Sequence, residues 1–341
     1  TILLTLFSFY ASGYAQKPFK VVFYNLENFF DLENDPDVLD DEFTPEGPKK
    51  WTKDKYDKKL SNIEKVFFDI AAINKDYPAV IGVCEIENRN VLEDIVATQK
   101  LSPTNYRIVH YDSPELRGVD AAFMYRPDVL KLEGSKAIRT VIPSLPDFKT
   151  RDIVTMWGKI DQEDFFFMVA HWPSRLGGKE ASALRRIAVG NQMRHIADSV
   201  RALRPSTKVV MMGDFNDDPT DESISGEKGI GAKIKVKEVT PADYYAPFAA
   251  LLKAGYGTLA YGDAWNIFDN IVVSGNLINE DKDQLKLKKT DNSKFYGHIF
   301  KRHYMVQKEG QFKGYPLRTY VGNNFQGGFS DHFPVYIYIG K

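Results

Sequence analysis

Nine polar residues of this 341-residue chain each lie beside a short apolar run, and their types are those that hold cations or move protons. They are Asn25, Glu85, Asp120, His171, Asp214, Asn216, Asp269, Asp331 and His332. Two of the chain's six histidines are among them. Acids, amides and histidines that gather at strand ends indicate one shared site rather than a series of unrelated turns.

The chemistry that this set of side chains suits is hydrolysis of a phosphate ester. Mg²⁺ prefers oxygen ligands and usually takes one or two protein carboxylates, so Glu85 and Asp331 are candidate ligands. Asparagine can hydrogen-bond a phosphate without adding negative charge. A histidine held by a carboxylate can stay cationic near neutral pH and face the phosphate. The sequence has no Cys or His trio spaced for a structural zinc.

The stretch 209–219 is the clearest element that could position such groups. Its first four residues are apolar and predict a short buried strand, which Gly213 is expected to end. Asp214 and Asn216 follow, and two residues apart in an extended chain they share a face. Open α/β sheets bind ligands at this edge. The alternative for this stretch alone is an Asx turn without function.

Similar apolar runs deliver the other polar residues. Strands are predicted at 19–24, 80–84, 107–111, 121–125, 154–160, 165–170, 268–273 and 335–339. Amphipathic spacing predicts helices over 60–73, 91–98 and 182–203, with Ser182 as a candidate cap of the last. Segment 31–59 is rich in Asp, Glu and Lys and is expected to lie on the surface, and segment 220–260 is rich in Gly and is predicted to be loop.

Composition is consistent with one large α/β domain over residues 16–341. Hydrophobic residues make up 43% and aromatic residues 13% of the chain, which is ample for a sizeable core. The net charge of −1 provides no overall attraction to nucleic acid or membranes. The single cysteine, Cys84, excludes an internal disulfide and a cysteine metal cluster, and its apolar neighbours predict a buried packing role.

The first fifteen residues have the pattern of a signal peptide. Residues 2–10 are almost wholly apolar and uncharged, and the small residues Gly13 and Ala15 predict cleavage after Ala15. The apolar run is too short to span a bilayer. We therefore expect an exported protein of the periplasm, cell envelope or medium. The alternative for this segment is a buried N-terminal strand.

Six motifs, taken together and in order, resemble the endonuclease/exonuclease/phosphatase superfamily. They are Tyr24-Asn25-Leu26-Glu27-Asn28, Ile81-Gly82-Val83-Cys84-Glu85, His171-Trp172-Pro173-Ser174, Gly213-Asp214-Phe215-Asn216, Asp269-Asn270-Ile271 and Ser330-Asp331-His332-Phe333-Pro334. The resemblance spans 19–340 and implies a four-layer α/β sandwich, with two packed central mixed β-sheets flanked by helices. It also implies that the site lies at the edge of the sheets.

The resemblance assigns metal-binding roles to three residues. Glu85 matches the family's metal-binding glutamate, Asn25 is expected beside it as a second contact to metal and phosphate, and Asp331 is expected to help hold the metal. The implied cofactor is Mg²⁺ or Mn²⁺. Cys84 stands where the family usually has Gln.

The resemblance also implies catalytic roles. Asp214 matches the aspartate that orients or deprotonates the attacking water, and Asn216 matches the asparagine that binds a phosphate oxygen. Asp269 is expected to pair with His332, whose charge would stabilise the transition state. His171 matches a histidine near the leaving group.

Two further site residues are predicted on weaker grounds. Some nucleases of the family have an acid near Asp120 that holds the histidine matched by His171, although the spacing around Asp120 differs from theirs. Arg175 follows the motif that begins at His171 and is predicted to bind the phosphate of an anionic ester.

The substrate is less defined than the chemistry. Segment 281–320 carries ten Lys or Arg against four Asp or Glu, with seven Phe or Tyr interleaved. Such a segment beside a hydrolytic site would suit a nucleic-acid backbone and its bases. The alternative is a solvated insertion whose aromatic residues complete a satellite core.

We therefore predict a phosphodiester-cleaving nuclease, with DNA or RNA as its substrate. The alternatives are a hydrolase of small or lipid phosphodiesters or phosphomonoesters on the same fold and, less favoured, a non-catalytic binding protein. The charged insertion argues against stable membrane insertion. A monomer is expected.

Overall fold

Two mixed β-sheets form the centre of the chain in the computed structural model, which describes residues 17–278, 283–290 and 292–341. The segment 1–15, for which a signal peptide is predicted, lies outside the described residues. So do three positions of the predicted basic insertion, 281, 282 and 291.

The strands are numbered in chain order. They are β1 (Phe19–Phe29), β2 (Val80–Ile86), β3 (Arg107–His110), β4 (Asp120–Tyr125), β5 (Lys131–Ile138), β6 (Ile153–Ile160), β7 (Glu163–His171), β8 (Lys208–Asp214), β9 (Tyr244–Tyr245), β10 (Leu259–Tyr261), β11 (Ala264–Asn266), β12 (Asp269–Ser274), β13 (Lys286–Lys288), β14 (Gly297–Ile299), β15 (Tyr320–Val321), β16 (Asn324–Phe325) and β17 (Val335–Gly340). The α-helices are α1 (Lys53–Ala72), α2 (Arg89–Ala97), α3 (Lys179–Leu203), α4 (Glu222–Ser225) and α5 (Ala249–Lys253).

Each large sheet contains one parallel strand pair at its centre. The first sheet has the order β13-β17-β1-β2-β4-β3, with β14 also paired to β17, and β1 runs parallel to β2. The second sheet has the order β5-β6-β7-β8-β12-β9, and β7 runs parallel to β8. The other neighbours in both sheets are antiparallel. Two small hairpins, β10–β11 and β15–β16, stand apart from these sheets.

Alternation along the strands separates the layers. In β1, Val21 faces the core between the two sheets, while Val22 packs in the cluster that contains the apolar faces of α1 and α2. In β8, Met212 faces the first sheet, while Met211 packs with α3. Successive strand residues point to opposite faces, so each sheet is covered on both sides. The four-layer α/β sandwich expected from the sequence is confirmed.

The helices differ from the prediction mainly at their N-termini. Helix α1 begins at Lys53, so residues 53–59, predicted as surface excursion, form its first two turns. Helix α3 begins at Lys179 after Gly178. The predicted cap Ser182 is wrong, because this residue lies one turn inside the helix and its hydroxyl donates to the carbonyl of Gly178 at 2.6 Å. Among the described helices, none combines the length and apolar character that a membrane span requires.

Strand β8 continues through Gly213 to Asp214, so the expectation that this glycine ends the strand is wrong. A Cβ atom at Gly213 would lie 2.0 Å from the carbonyl oxygen of Ala170 on β7. The glycine therefore permits a close approach of the two parallel strands, and this places the residues that follow them side by side.

Strand β5 was not predicted. It has a half-buried, mixed sequence at the edge of the second sheet, so it lacks the apolar run that identifies the interior strands. Segment 220–260, predicted as loop, contains α4, β9 and α5.

Candidate active site

Strand register brings the predicted residues to one edge of the two sheets. His171 at the end of β7 lies opposite Asp214 at the end of β8, and Asp214 lies opposite Asp269 at the start of β12. In the first sheet, Asn25 of β1 pairs with Cys84, the neighbour of Glu85. Five strands that are far apart in the sequence thus meet at one cleft.

Asn25 joins the two sheets at this edge. Its Nδ2 atom donates to Oε1 of Glu85 and to Oδ2 of Asp214, both at 3.0 Å. Its Oδ1 atom accepts from the backbone N–H of Glu27 at 2.8 Å, and its side chain is fully buried. The structure shows the Asn25 amide positioning two carboxylates, and the expected contact of Asn25 with metal and phosphate stays a prediction.

Glu85 lies on a bulge in β2, where the register with β4 shifts. Its φ of +58° is in the left-handed region, which an ordinary side chain occupies at a cost of about 1–3 kcal/mol when the surroundings enforce it. Its Oε2 atom accepts from the backbone N–H of Asn28 at 3.0 Å. The bulge and these hydrogen bonds hold the carboxylate at the mouth of the cleft.

Asp214 is buried and held at both oxygens. Its Oδ1 atom accepts from the backbone N–H of Asn216 at 2.9 Å, while Oδ2 faces Asn25. Burial raises the pKa of Asp214 to about 7, and the nearby Asp269 and Glu85 carboxylates act in the same direction, against the opposing charge of His332. An ionised carboxylate here is costly without a neighbouring cation.

Asn216 turns the chain into the cleft with a φ of +51°. Its Nδ2 atom donates to the carbonyl oxygen of Trp172 at 3.0 Å. A carboxamide carries two N–H donors, so the second remains for a phosphate oxygen.

His332 is held by a carboxylate of the second sheet. Its Nδ1 atom lies 2.7 Å from Oδ2 of Asp269, and its backbone N–H donates to the hydroxyl of Ser330. Burial alone would lower the pKa of His332, but the charges of Asp269, Asp214 and Asp331 outweigh it and raise this pKa well above its usual range. The imidazolium therefore persists at neutral pH, with Nε2 3.8 Å from Oδ2 of Asp214.

His171 has the opposite electrostatics. Its Nε2 atom lies 3.6 Å from Oδ2 of Asp214 and 3.8 Å from Oε1 of Glu85. Burial, reinforced by Arg151 and Arg117, holds the pKa of His171 well below its usual range. Its Nδ1 atom is buried without a hydrogen-bond partner among the described residues. The side chain is therefore a neutral imidazole.

Asp120 does not hold His171. Its Oδ2 atom lies 3.0 Å from Nε2 of His110, and its Oδ1 atom accepts from the backbone N–H of Ser113 at 3.0 Å. Both of its oxygens thus contact another histidine and a loop, and a catalytic role of Asp120 stays a prediction.

Arg175 is likewise committed elsewhere. Its guanidinium donates to the carbonyl oxygen of Asn216 at 2.8 Å and to the carboxylates of Asp217 and Asp221 at 3.2 and 3.0 Å. It also lies 4.3 Å from the ring centroid of Phe268. These partners use the guanidinium to shape the loop after Asp214, and the expected phosphate contact stays a prediction.

Asp331 lies at one end of the site. Its Oδ2 atom accepts from Nη2 of Arg318 at 2.5 Å, and Oδ1 lies 3.9 Å from Nε2 of His332. His332 and Arg318 lower the pKa of Asp331 against the effect of its burial, so the carboxylate is ionised. The metal-holding role of Asp331 stays a prediction. Arg318 occupies one of its two oxygens, which leaves Oδ1 for a cation.

The donor set fits a cation that prefers oxygen ligands. Ligand atoms of Glu85, His171 and Asp214 lie within 4.8 Å of one another, and so do those of Asp214, Asp269 and His332. In the second group the imidazolium already neutralises Asp269. The carboxylates of Glu85 and Asp214 are therefore candidate ligands for a hard divalent ion, which would offset their mutual repulsion.

The cleft has a volume of about 470 Å³ and is more basic than the sequence suggested. Its lining includes the cationic side chains Arg117, Lys149, Arg151 and Arg185. Of these, only Arg185 stands near a recognised motif. The other three come from the loops before β4 and β6, and no local pattern marked them. Together they favour an anionic ligand beside His171.

Comparison with known proteins agrees with this fold. The model of the Endonuclease/Exonuclease/phosphatase family matches residues 20–341. Among curated proteins, no sequence matches the chain.

Solved structures with the same fold include three proteins with different names and ligands. The mannosyl-6-phosphatase of Bacteroides thetaiotaomicron is 17% identical with a TM-score of 0.55, covering 95% of this chain and 100% of that one. D. rerio TDP2 complexed with a single-strand DNA product is 13% identical with a TM-score of 0.54, covering 95% and 100%. The human Nocturnin catalytic domain with bound sulfate is 15% identical with a TM-score of 0.53, covering 95% and 94%.

At these identities the structural neighbours establish the fold alone. The family model extends over nearly the whole described chain, and it includes every predicted site residue. The chain therefore belongs to the endonuclease/exonuclease/phosphatase family of phosphoesterases.

Proposed function

We propose that this chain is a divalent-metal-dependent hydrolase of phosphate esters that uses Mg²⁺ or Mn²⁺. One observation carries the proposal. Two carboxylates from different sheets, Glu85 and Asp214, share the amide of Asn25 and face the cationic His332 across one cleft. This arrangement supports a cation site, a base and a positive charge around one cleft of about 470 Å³.

The chain's own residues have separate roles in the proposed reaction. A bound divalent cation would supply charge that neutralises the phosphate. Asp214 takes a proton from the attacking water, which is held in line with the ester bond. The free N–H of Asn216 and the imidazolium of His332 donate to the phosphate oxygens as negative charge develops. As the P–O ester bond breaks, the leaving oxygen accepts a hydrogen bond from Nε2 of the neutral His171 and takes its proton from solvent, to which Asp214 returns the proton that it received.

For the substrate, we propose esters of small organic molecules ahead of nucleic acid. The preference for a nuclease rested on the basic segment 281–320. Strand β13 of that segment pairs Lys286 with Gly340, at the end of β17 remote from the site. From Val335 to Gly340 the strand rises by about 17 Å. Lys286 and Lys288 therefore lie away from the cleft, while Arg318 of the same segment pairs with Asp331 beside it.

A nuclease remains the second candidate, because four cationic side chains line the cleft. A bacterial mannosyl-6-phosphatase and TDP2 with its DNA product share this fold, so both substrate classes are compatible with it.

A substrate screen tests the proposal. Purified protein would be assayed with p-nitrophenyl phosphate, bis-p-nitrophenyl phosphate, sugar phosphates, sphingomyelin, plasmid DNA and RNA, with Mg²⁺, with Mn²⁺ and after exhaustive chelation. We expect hydrolysis of at least one ester that requires the metal and is absent from a folded His332→Ala control. Full activity of the metal-stripped protein would contradict the mechanism.

We also propose that the chain is exported. The support is the apolar, uncharged run at 2–10 followed by Gly13 and Ala15. N-terminal sequencing of protein recovered from the host's envelope or medium is expected to begin at Gln16. An intact Thr1 to Ala15 on protein from the cytoplasm would contradict the proposal.

A further inference from the structure

A second depression lies beside the catalytic cleft. This groove, with a volume of about 660 Å³, runs between the β10–β11 hairpin and the segment 305–326. Asp331 and Arg318 form part of its lining, so the groove adjoins the catalytic site at the residue before His332. Its chemistry comes mainly from side chains that the mechanism does not use, namely Tyr261, Asp263, Gln307, Phe312, Tyr315 and Gln326.

The walls of the groove are tied together. The hairpin turns at Gly262 and Asp263 with φ of +54° and +63°, which is the backbone that a tight two-residue hairpin needs. The hydroxyl of Tyr315 donates to Oδ1 of Asp263 at 2.7 Å and accepts from the backbone N–H of the same residue at 2.7 Å. Tyr315 also packs edge-on against Trp265 at 5.9 Å between ring centroids. The groove is therefore largely formed before a ligand arrives.

The β10–β11 hairpin and the residue before it also contact Phe333, which follows His332 in the sequence. The backbone N–H of Phe333 donates to the carbonyl oxygen of Thr258 at 2.8 Å, and the ring of Phe333 stacks on Trp265 at 6.2 Å. A ligand in the groove is thus held in a fixed relation to the residue that follows His332.

The charge of the groove excludes a polyanion. Its acids are Asp263, Glu309 and Asp331, against a single cation, Arg318, whose guanidinium is already paired with Asp331. Phosphates of a nucleic-acid strand would meet excess negative charge here. The basic side of the cleft, by contrast, accommodates the scissile phosphate.

The groove instead combines ring faces with uncharged polar groups. Tyr261 is 83% exposed and Phe312 is 37% exposed, which are high values for large apolar side chains beside a cleft. The amides of Gln307 and Gln326 offer donors and acceptors next to them. A sugar ring has a C–H face that stacks on an aromatic ring and a rim of hydroxyls that bond amides and carboxylates.

We infer that this groove binds the neutral, polyhydroxylated part of the substrate, a sugar ring or short oligosaccharide, while its phosphate occupies the catalytic cleft. The inference deepens the proposed function and rests on it. The groove selects the substrate by its sugar, and the cleft hydrolyses the phosphate ester.

The test separates binding from catalysis. Neutral mono- and disaccharides, including mannose, glucose and galactose, would be titrated into wild-type protein, and binding followed by tryptophan fluorescence and by NMR. We expect at least one to bind, and a Tyr261→Ala/Phe312→Ala variant to bind it on the order of tenfold more weakly. Tyr256→Ala, which removes a 53% exposed tyrosine outside the groove lining, is the matched control and should bind as wild type does.

Kinetics supply the second readout. The double variant should hydrolyse p-nitrophenyl phosphate at the wild-type rate, while its KM for the preferred sugar phosphate rises on the order of tenfold. If the wild-type protein hydrolyses no ester, the proposed function is wrong. The saccharide titrations would still test whether the groove binds sugars. Absence of binding by all the sugars, or unchanged binding in the double variant, would overturn the inference. The inference would also be overturned if oligothymidylate displaced a bound sugar and its own binding required Tyr261 and Phe312.

Discussion

The Nδ1 atom of His332 lies 2.7 Å from Oδ2 of Asp269, a fully buried carboxylate on β12 of the second sheet. His332 itself precedes β17 of the first sheet, so this ion pair connects the two sheets at the active site. The pair fixes both the orientation of the imidazole and its charge.

Replacing Asp269 should therefore make activity more sensitive to alkaline pH. In Asp269→Asn the pKa of His332 falls, so the required imidazolium is lost as pH rises through the lowered value. We expect a rate loss of about 100-fold or more at pH 8 and a smaller loss at pH 6. The measurement is the ratio of variant to wild-type kcat across pH 5.5–9. A ratio that does not change with pH would contradict the role of this pair.

Removing the charge of Glu85 should weaken the binding of the metal ion without unfolding the protein. In Glu85→Gln an N–H₂ group competes for positions where oxygen faces the cation, so the metal concentration for half-maximal activity should rise at least tenfold. Mn²⁺ titration by calorimetry measures the same affinity without turnover. Glu93→Gln, on the exposed face of α2, is the matched control. Equal Mn²⁺ affinity in Glu85→Gln and wild type would remove Glu85 from the metal site.

A buried lysine beneath the site should be important for stability. The Nζ atom of Lys59 donates to Oγ1 of Thr319 at 2.5 Å and to the carbonyl oxygen of Phe329 at 2.8 Å, and it lies 3.9 Å from the buried Glu27. Lys59→Met leaves Thr319 and Phe329 without this buried donor, and Arg318, 3.6 Å away, remains as the cation beside Glu27, so the free energy of unfolding should fall by about 1.5–3 kcal/mol.

Urea denaturation of three variants checks this expectation. Lys59→Met/Glu27→Gln should recover part of the loss, because the buried carboxylate that Lys59 faced is neutralised as well. Lys65→Met, whose partly exposed ion pair with Asp69 lies on the same helix, should change the free energy of unfolding by less than about 1 kcal/mol. A loss of similar size in Lys59→Met and Lys65→Met would refute the account of the buried pair.

His298 should make the protein less stable in acid. Its ring stacks on Tyr336 at 4.9 Å, and burial lowers its pKa to about 4. The folded state resists protonation that the unfolded chain accepts below about pH 6.5, so stability is lost as pH falls from 6.5 toward 4. Between pH 8 and 5 the contribution amounts to about 2 kcal/mol.

Chemical denaturation at several pH values, for wild type and His298→Phe, isolates this effect. The phenylalanine variant keeps the ring contact but cannot be protonated, so the difference between the two proteins should shrink or reverse in its favour as pH falls. Parallel pH profiles would show that His298 does not titrate in this way.

The sequence predicted the parts of the fold that burial controls. The apolar runs of β1, β2, β7, β8 and β12 identified the interior strands, because both faces of these strands are covered. The edge strand β5 has no such run and was missed. Its position depends on pairing with β6, which no local pattern of its own residues records.

The sequence predicted which residues form the site better than it predicted the contacts that they make. The motifs placed His171, Asp214 and His332 in one cleft, and the structure brings them together. The sequence could not show that Asp120 pairs with His110, or that three acids and a carbonyl hold the loop at Arg175. Those choices depend on loop geometry, as do the positions of Lys149 and Arg151.

The most direct test of the central claim is the turnover of His332→Ala and Asp214→Asn on bis-p-nitrophenyl phosphate, measured together with their melting temperatures. Charge stabilisation and water activation act in one transition state, so each variant should lose on the order of three to five decades in rate. The double variant should be little worse, and all three proteins should stay folded. Near wild-type turnover by a folded His332→Ala protein would contradict the account.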